Sequence, residues 1–179
     1  MSLNQKNTLV LVVDIQERLM PVLYEATVFA AACRRLLTGA ELLELPVIVT
    51  EQYPKGLGQT IADIRLASKD APVFEKTRFS AYTEEVQAAL KDQQVENIIV
   101  IGCETHICIL QTTLDLQQAG YQVYLPQECV TSRILENKDN GLNQAQQAGA
   151  IVSNIESLLF QILQDAKHPQ FKAISKLIQ

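Results

Sequence analysis

The sequence predicts a three-layer, doubly wound α/β fold of the Rossmann-like type, with a mostly parallel sheet of about six strands. Residues 8–14, 46–51 and 97–103 form almost wholly apolar runs rich in Val and Ile, which is typical of strands buried on both faces of a parallel sheet. Segments with apolar residues at helical spacing alternate with these runs, as the crossover connections between parallel strands require. The length of 179 residues suits a single domain, predicted to cover residues 1–179.

The other elements continue this alternation along the chain. Further strands are predicted at residues 71–76, 121–126 and 150–153. Helices are predicted at residues 26–45, 83–92, 105–119, 137–148 and around 155–162, with a tail helix that Pro169 opens. Thr83 and Thr105 are the expected N-caps. Gly120 and Gly149 are the expected ends of two of these helices, because glycine tolerates the left-handed conformation found there.

The composition argues against several classes of partner. Lys and Arg total 15 against 20 Asp and Glu, giving a net charge of −5, and the basic residues are scattered, so no nucleic-acid partner is expected. The N-terminal apolar run is short and ends at Asp14, so we expect no signal peptide, no membrane association and a cytoplasmic location. The cysteines at 33, 103, 108 and 129 are predicted to be free thiols, as is usual in a reducing compartment.

Three side chains of complementary chemistry lie at or beyond strand ends. Asp14 ends the first strand, Lys76 ends the strand at 71–76, and Cys108 follows the strand at 97–103. In open α/β sheets, ligands bind beyond the carboxyl ends of the strands, so these residues are candidates for a nucleophile, a base and a charge stabiliser. The structural alternative is a buried Asp and Lys pair that ties two strands together, with a core cysteine nearby.

The position of Cys108 favours a reactive thiol. If Thr105 caps the helix at 105–119, Cys108 lies in its first turn, where free backbone N–H groups and the helix dipole stabilise an anion. The sequence therefore predicts a thiol pKa below its ordinary value. His106 is only two residues from Cys108, and residues two apart on a helix do not face each other. We expect His106 to be exposed to solvent.

Three motifs resemble those of the isochorismatase-like cysteine hydrolases: "VVDIQE" after the first strand, "EKTRFSAY" at 75–82, and "IGCETHICILQTTLDL" around Cys108. The stretches "TEQYPKGLG" and "DAKHPQFKAISKLI" are similar to the small isochorismatase domain-containing proteins of that superfamily. The resemblance spans nearly the whole chain and implies the isochorismatase-like hydrolase fold. It also implies a homo-oligomer and a catalytic triad of Asp14, Lys76 and Cys108.

The resemblance further implies a mechanism. Asp14 takes the thiol proton, Lys76 holds the developing charges, and Cys108 attacks a carbonyl carbon. The family's cis peptide falls between Cys103 and Glu104, and backbone N–H groups near Glu104 and Cys108 form the oxyanion hole. Asp14 then protonates the leaving amine, and water hydrolyses the thioester.

Several residues just past strand ends could line a substrate pocket. Gln16 and Gln52 could orient a polar small-molecule substrate, while Phe79, Tyr82 and Tyr53 could supply its wall. The alternative for each is a packing or surface role. The chain contains two histidines, which are too few for a multi-histidine zinc site, and the "GLG" at 56–58 lacks a P-loop's Lys and Ser/Thr. No metal and no cofactor are predicted.

The leading hypothesis is a cysteine hydrolase of a small polar amide or a related C–N bond, acting through a covalent thioester. One alternative is hydrolysis of the vinyl ether of isochorismate, which needs an acid but no thiol. A second alternative is a non-catalytic interaction protein that retains the fold.

Overall fold

The computed structural model describes residues 3–179, so the first two residues of the predicted domain lie outside the described residues. The strands are β1 Thr8–Val13, β2 Val47–Gln52, β3 Val73–Lys76, β4 Asn97–Cys103, β5 Gln122–Pro126, β6 Val130–Thr131 and β7 Ile151–Ser153. The helices are α1 Ala26–Leu42, α2 Pro54–Leu57, α3 Ala62–Ala67, α4 Glu84–Gln93, α5 Leu110–Gln118, α6 Leu135–Gln147, α7 Ile155–Leu163 and α8 Phe171–Leu177.

The sheet confirms the predicted parallel α/β architecture. Its strands run in the order β3-β2-β1-β4-β5-β7, and every named pair of strands is parallel. The count of six strands was wrong by one, because β6 pairs with the end of β4 through two residues, Val130 and Thr131. The strand order reverses between β1 and β4. The carboxyl ends of these two strands therefore border the crevice in which such sheets bind ligands.

Alternate residues of β1 enter two separate hydrophobic clusters, one on each face of the sheet. Val10 and Val12 pack with residues of α1, α7 and α8, while Leu9, Leu11 and Val13 pack with residues of α4, α5 and α6. Successive side chains of a strand point to opposite faces, so this division gives the three layers. Cys108 belongs to the second cluster.

Several helix boundaries follow the sequence signals. Thr83 Oγ1 accepts the N–H of Val86 at 3.4 Å, as an N-cap does. Gly120 and Gly149 take φ values of +93° and +106° directly beyond α5 and α6. Pro169 does not open the tail helix, which begins at Phe171 after Gln170.

Part of β4 comes unusually close to β1. Gly102 has φ +132°, and a Cβ added there would lie 1.9 Å from the carbonyl oxygen of Val13. Only glycine fits this position, and its closeness brings the chain leading to Cys108 against the strand that ends at Asp14. Between residues 3 and 179, no helix is both long and apolar enough to cross a lipid bilayer.

Candidate active site

Asp14, Lys76 and Cys108 meet at the carboxyl ends of the strands. Lys76 Nζ donates to Asp14 Oδ2 at 2.6 Å, and both side chains are 1% exposed. Thr50 Oγ1 donates to the other carboxylate oxygen, Asp14 Oδ1, at 3.2 Å. The thiol of Cys108 also hydrogen-bonds to Asp14. The Asp14 carboxylate therefore lies between an ammonium and a thiol.

Burial governs the protonation of this site. Burial and, after it, the charge of Asp14 together raise the pKa of Cys108 to about 12, against the opposing effects of Lys76 and the backbone of Glu104. Burial also raises the pKa of Asp14, against the opposing effect of Lys76. The expectation of a lowered thiol pKa was wrong, because desolvation and a neighbouring anion outweigh the helix terminus. In the free protein, the sulfur keeps its proton beside the carboxylate.

Lys76 is held by four acceptors. Besides Asp14, its ammonium contacts Gln52 Oε1 at 2.7 Å, the carbonyl oxygen of Phe79 at 2.9 Å and that of Arg78 at 3.3 Å. An ammonium has three protons, so these contacts use all of them. Lys76 is thereby a fixed positive charge beside Asp14.

Cys108 lies on a π-helical turn, Thr105–Ile109, that precedes α5. The peptide bond between Cys103 and Glu104 is cis. The predicted cap was wrong: Thr105 makes no side-chain capping bond, and the carbonyl oxygen of Glu104 instead accepts the N–H groups of Ile107 and Ile109, at 3.1 and 3.2 Å. The backbone of Glu104 also hydrogen-bonds the sulfur of Cys108 and lowers its pKa.

The side chains of the two glutamines predicted to contact substrate form hydrogen bonds with other groups of the protein. Gln16 is fully buried; its Nε2 donates to the carbonyl oxygens of Gln52 and Gly58 at 3.0 and 2.7 Å, and its Oε1 accepts the Gln52 N–H at 2.7 Å. Gln52 Oε1 accepts from Lys76, and its Nε2 donates to the carbonyl oxygen of Thr77 at 2.7 Å. Gln16 therefore joins two segments and Gln52 orients Lys76, while contact with substrate stays a prediction for both.

The three aromatic residues lie in different places. Tyr53 and Phe79 are 55% and 53% exposed. Tyr53 lines a cleft of about 460 Å³ that also includes Lys76 and Arg78. Tyr82 packs edge-to-face against Tyr121, with ring centroids 6.2 Å apart, and lines a different cleft of about 270 Å³. The sequence had suggested that Tyr82 lines the same pocket as Tyr53. In the structure, Tyr82 lies outside the cleft that Lys76 lines.

Sequence reasoning missed two residues beside the π-helical turn that carries Cys108, Ser132 and Arg133. Ser132 Oγ accepts the N–H of Thr105 at 3.1 Å and lies 3.0 Å from His106 Nδ1. Arg133 donates from its backbone N and from Nε to Glu104 Oε2, at 3.0 Å each. His106 is half-buried by these contacts, which corrects its predicted exposure. No periodicity or motif in the sequence marks this segment.

The described residues form no cluster of metal-binding side chains. Among residues 3–179, no group of three or more His, Cys, Asp or Glu side chains is arranged to hold a metal ion. Glu51, which lies next to Gln52 at the end of β2, accepts the N–H and the hydroxyl of Thr60 at 2.7 Å each. All four cysteines are free and buried.

Comparison with known proteins identifies the family. A family model described as the isochorismatase domain matches residues 8–157. The chain belongs to the isochorismatase family. This membership confirms the resemblance seen in the motifs and supports a hydrolase.

Individual isochorismatase relatives cover most of the chain. Isochorismatase domain-containing protein 1 of Salmo salar is 40% identical over 167 residues. The match covers 93% of this chain but spans only 59% of that relative's length. The structure of a MAR1 ribonuclease from Caenorhabditis elegans is 36% identical, with a TM-score of 0.95, covering 99% of this chain and 92% of that one.

A more distant structure shares the isochorismatase fold alone. The YcaC gene product of Escherichia coli, described as an octameric hydrolase of unknown specificity, has a TM-score of 0.92 at 20% identity. The match covers 99% of this chain and 89% of that one. Some structures with this fold are therefore oligomeric.

Proposed function

We propose that this protein is a cysteine hydrolase that cleaves a C–N bond of a small polar amide through a thioester on Cys108. The observation that carries the proposal is the chain of contacts from the Cys108 thiol to the Asp14 carboxylate, and from there to Lys76 Nζ at 2.6 Å. A nucleophile needs a base within hydrogen-bonding reach, and the base needs a group that orients it. These three side chains meet that description.

The raised pKa of both Asp14 and Cys108 defines how the nucleophile is activated. The sulfur attacks the amide carbon as its proton passes to Asp14, so a free thiolate does not accumulate beforehand. The C–S bond forms, and the carbonyl oxygen takes the negative charge. The Glu104 N–H is one candidate donor to that oxygen, and a single such donor is typically worth about 3 kcal/mol.

The second half of the reaction uses the same proton carrier. Asp14 returns the proton to the departing nitrogen as the C–N bond breaks, which leaves the thioester. A water molecule then gives a proton to Asp14 while its oxygen attacks the thioester carbon. Collapse of that intermediate breaks the C–S bond and releases the carboxylic acid, while the sulfur takes the proton back from Asp14 and restores the Cys108 thiol. Lys76 keeps its charge throughout, because its protons are bound to fixed acceptors.

Vinyl-ether hydrolysis of isochorismate is the first alternative. That reaction protonates a carbon and uses no thiol, so Cys108→Ala would retain it and would abolish amide hydrolysis. A non-catalytic interaction protein is the second alternative, in which neither activity is found and no covalent adduct forms on Cys108.

A ribonuclease function is suggested by the activity named for the C. elegans neighbour. The net charge of −5 is unfavourable for binding a polyanion, because affinity for RNA depends on clustered Lys and Arg. RNA should therefore be tested as a separate substrate with the same protein and the same Cys108→Ala variant. Cleavage of RNA that persists in the Cys108→Ala protein would contradict the thiol mechanism for that substrate.

The deciding experiment is a panel of small amides and amidines, with mass-spectrometric detection of an acyl adduct after acid quenching. We expect an adduct on the peptide that contains Cys108, and none in Cys108→Ala. Cys129→Ala is the matched control, since Cys129 is a buried cysteine outside the triad. Hydrolysis without any adduct, and with full activity in Cys108→Ala, would exclude the proposal.

We also propose that the protein forms a homo-oligomer and works in the cytoplasm without a metal or cofactor. Light scattering on the protein eluted from a size-exclusion column measures the number of subunits. Hydrolysis that survives dialysis against a chelator would support metal-independent chemistry.

A further inference from the structure

The turn that carries Cys108 is held by two residues that follow β6. Ser132 is fully buried, and its hydroxyl oxygen contacts the Thr105 N–H and His106 Nδ1. Arg133 binds the carboxylate of the residue before them, Glu104, through two donors. Three successive residues of the turn are thereby tied to two successive residues of a neighbouring segment.

The opposite side of the turn rests on a helix backbone. A Cβ added at Gly141 of α6 would lie 2.8 Å from the backbone N of His106 and 2.8 Å from the carbonyl carbon of Thr105. The helix therefore makes backbone contact there, and polar contacts from Ser132 and Arg133 hold another side. A turn enclosed in this way has little freedom to change the direction of its N–H groups.

The contacts of Ser132 also define the protonation of His106. A serine hydroxyl has one proton and two lone pairs, and one lone pair accepts the Thr105 N–H. Of the contacts described for Ser132 Oγ, His106 Nδ1 at 3.0 Å is the one that can accept the hydroxyl proton. If Nδ1 were itself protonated, the buried hydroxyl proton would have no acceptor among them, which is unfavourable. The consistent arrangement is a neutral imidazole with its proton on Nε2.

We infer that Ser132 is a positioning residue for Cys108, acting through Thr105 and His106, and that it keeps His106 in the Nε2-protonated form. This inference rests on the proposed function of Cys108. Thr105 lies in the same π-helical turn as Cys108, so a shift of the Thr105 peptide group moves the turn that carries the sulfur. Ser132 does not touch the reacting atoms.

The state of His106 is measured first, by nitrogen-15 NMR of the imidazole rings. The chain has only two histidines, and His168 Nδ1 accepts the N–H of Gln170 at 3.1 Å, so His168 serves as an internal reference for the same tautomer. His168→Gln assigns the signals. We expect both rings to be protonated at Nε2 in the native protein, with mixed tautomers at His106 alone in Ser132→Ala. A native His106 protonated at Nδ1 would overturn the inference.

Kinetics test the positioning role. Ser132→Ala should lower kcat for the amide about ten- to a hundredfold with little change in KM, since small misplacements of reacting groups have effects of this size. It should also slow the alkylation of Cys108 severalfold. The matched control is Ser68→Ala, which removes a buried hydroxyl bonded to the Ile64 carbonyl at 2.8 Å in α3. Equal kinetics for the two variants would contradict the inference.

Two substitutions of His106 test whether an acceptor for the Ser132 proton is enough to keep the activity. His106→Asn places an amide oxygen near the position of Nδ1 and can still accept the Ser132 proton, so it should keep most of the activity. His106→Leu cannot accept a proton and should resemble Ser132→Ala. If Ser132→Ala does not fold, these two variants at a half-buried position decide the question, and equal activity in both would refute the role.

The readouts separate this inference from the proposed function. If the native protein hydrolyses no amide, the proposed function fails, but the tautomer of His106 and the alkylation rate of Cys108 are still measurable. A native tautomer on Nε2 with slowed alkylation in Ser132→Ala would support positioning of the thiol even then. Unchanged alkylation in Ser132→Ala would reject it.

Discussion

Replacing Asp14 with asparagine should change two reactions of Cys108 in opposite directions. The alkylation of the thiol by iodoacetamide should become faster, whereas amide hydrolysis should become slower. The first effect follows from the charge of Asp14, which helps raise the thiol pKa to about 12. The second follows from loss of the base, which typically costs about 10²- to 10⁴-fold in rate.

The size of the first effect follows from the thiolate fraction. At pH 8 a thiol of pKa about 12 is ionised to about one part in 10⁴, on the order of a thousandfold less than a free cysteine of pKa about 8.5. Two charges about 4 Å apart at an effective dielectric constant of about 20 interact by roughly 4 kcal/mol, or about three pKa units.

Burial remains in the asparagine variant, so we expect the pKa of Cys108 to fall by about one to three units. Thiolates of lower pKa are weaker nucleophiles, with a Brønsted slope of about 0.4–0.5. The expected acceleration of alkylation is therefore about three- to sixtyfold.

The assay follows labelling of the Cys108 peptide by mass spectrometry between about pH 6 and 10. In the native protein the rate should rise about tenfold per pH unit without a plateau. Cys108→Ala gives the blank, since Cys33, Cys103 and Cys129 have no exposed surface.

Asp70→Asn is the charge-matched control, as Asp70 is exposed and precedes the opposite end of β3. Unchanged alkylation in Asp14→Asn would show that the carboxylate does not act on the sulfur, and the mechanism would have to be abandoned. Slower alkylation would show that loss of the base outweighs the lower thiol pKa, which would refute the expected acceleration. A native plateau below about pH 8.5 would show that the helix terminus outweighs burial after all.

Three further outcomes are expected. Because burial raises the pKa of Asp14, kcat/KM for the amide should fall with decreasing pH along a limb above the ordinary aspartate value; a limb at or below about pH 3.9 would contradict this. Lys76→Met leaves a buried carboxylate unpaired and should lower the free energy of unfolding in urea by about 3–5 kcal/mol. The loss should be smaller in the double variant that also carries Asp14→Asn. Equal losses in the single and double variants would mean that the pair is not coupled. Gly141→Ala should cost about 1–3 kcal/mol and reduce activity through crowding of the turn that carries Cys108, whereas exposed Asn143→Ala in the same helix should do neither.

The sheet and the proximity of Asp14, Lys76 and Cys108 could be predicted because both depend on patterns carried by the chain itself. Strands buried on both faces need continuous runs of Val and Ile, and such runs end at Asp14 and before Cys108. The carboxyl ends of parallel strands lie at one edge, so residues distant in sequence had to be neighbours. The two-residue strand β6 has no such pattern, and Ser132 and Arg133 were missed with it.

Other differences from expectation came from competition between local preference and tertiary packing. Thr105 has the side chain of a good N-cap, but its N–H is bound to Ser132 and its turn is π-helical. Gln16 follows a strand end as a ligand-binding residue would, yet the chain folds back so that backbone groups take its whole amide. The thiol pKa was misjudged because the degree of burial of Cys108 cannot be read from its place in a helix.

All three protons of the Lys76 ammonium are hydrogen-bonded, so this one group affects both the charge of the site and the anchoring of its loops. The same Nζ that neutralises Asp14 also fastens the amide of Gln52 and the carbonyl groups of residues 78 and 79. Base strength and loop anchorage therefore cannot be adjusted independently at this position. An arginine at position 76 would retain the charge but would bring a flat, forked cation into a site that surrounds a compact ammonium. Evolutionary changes in the protonation of Asp14 therefore have to occur through the surrounding residues.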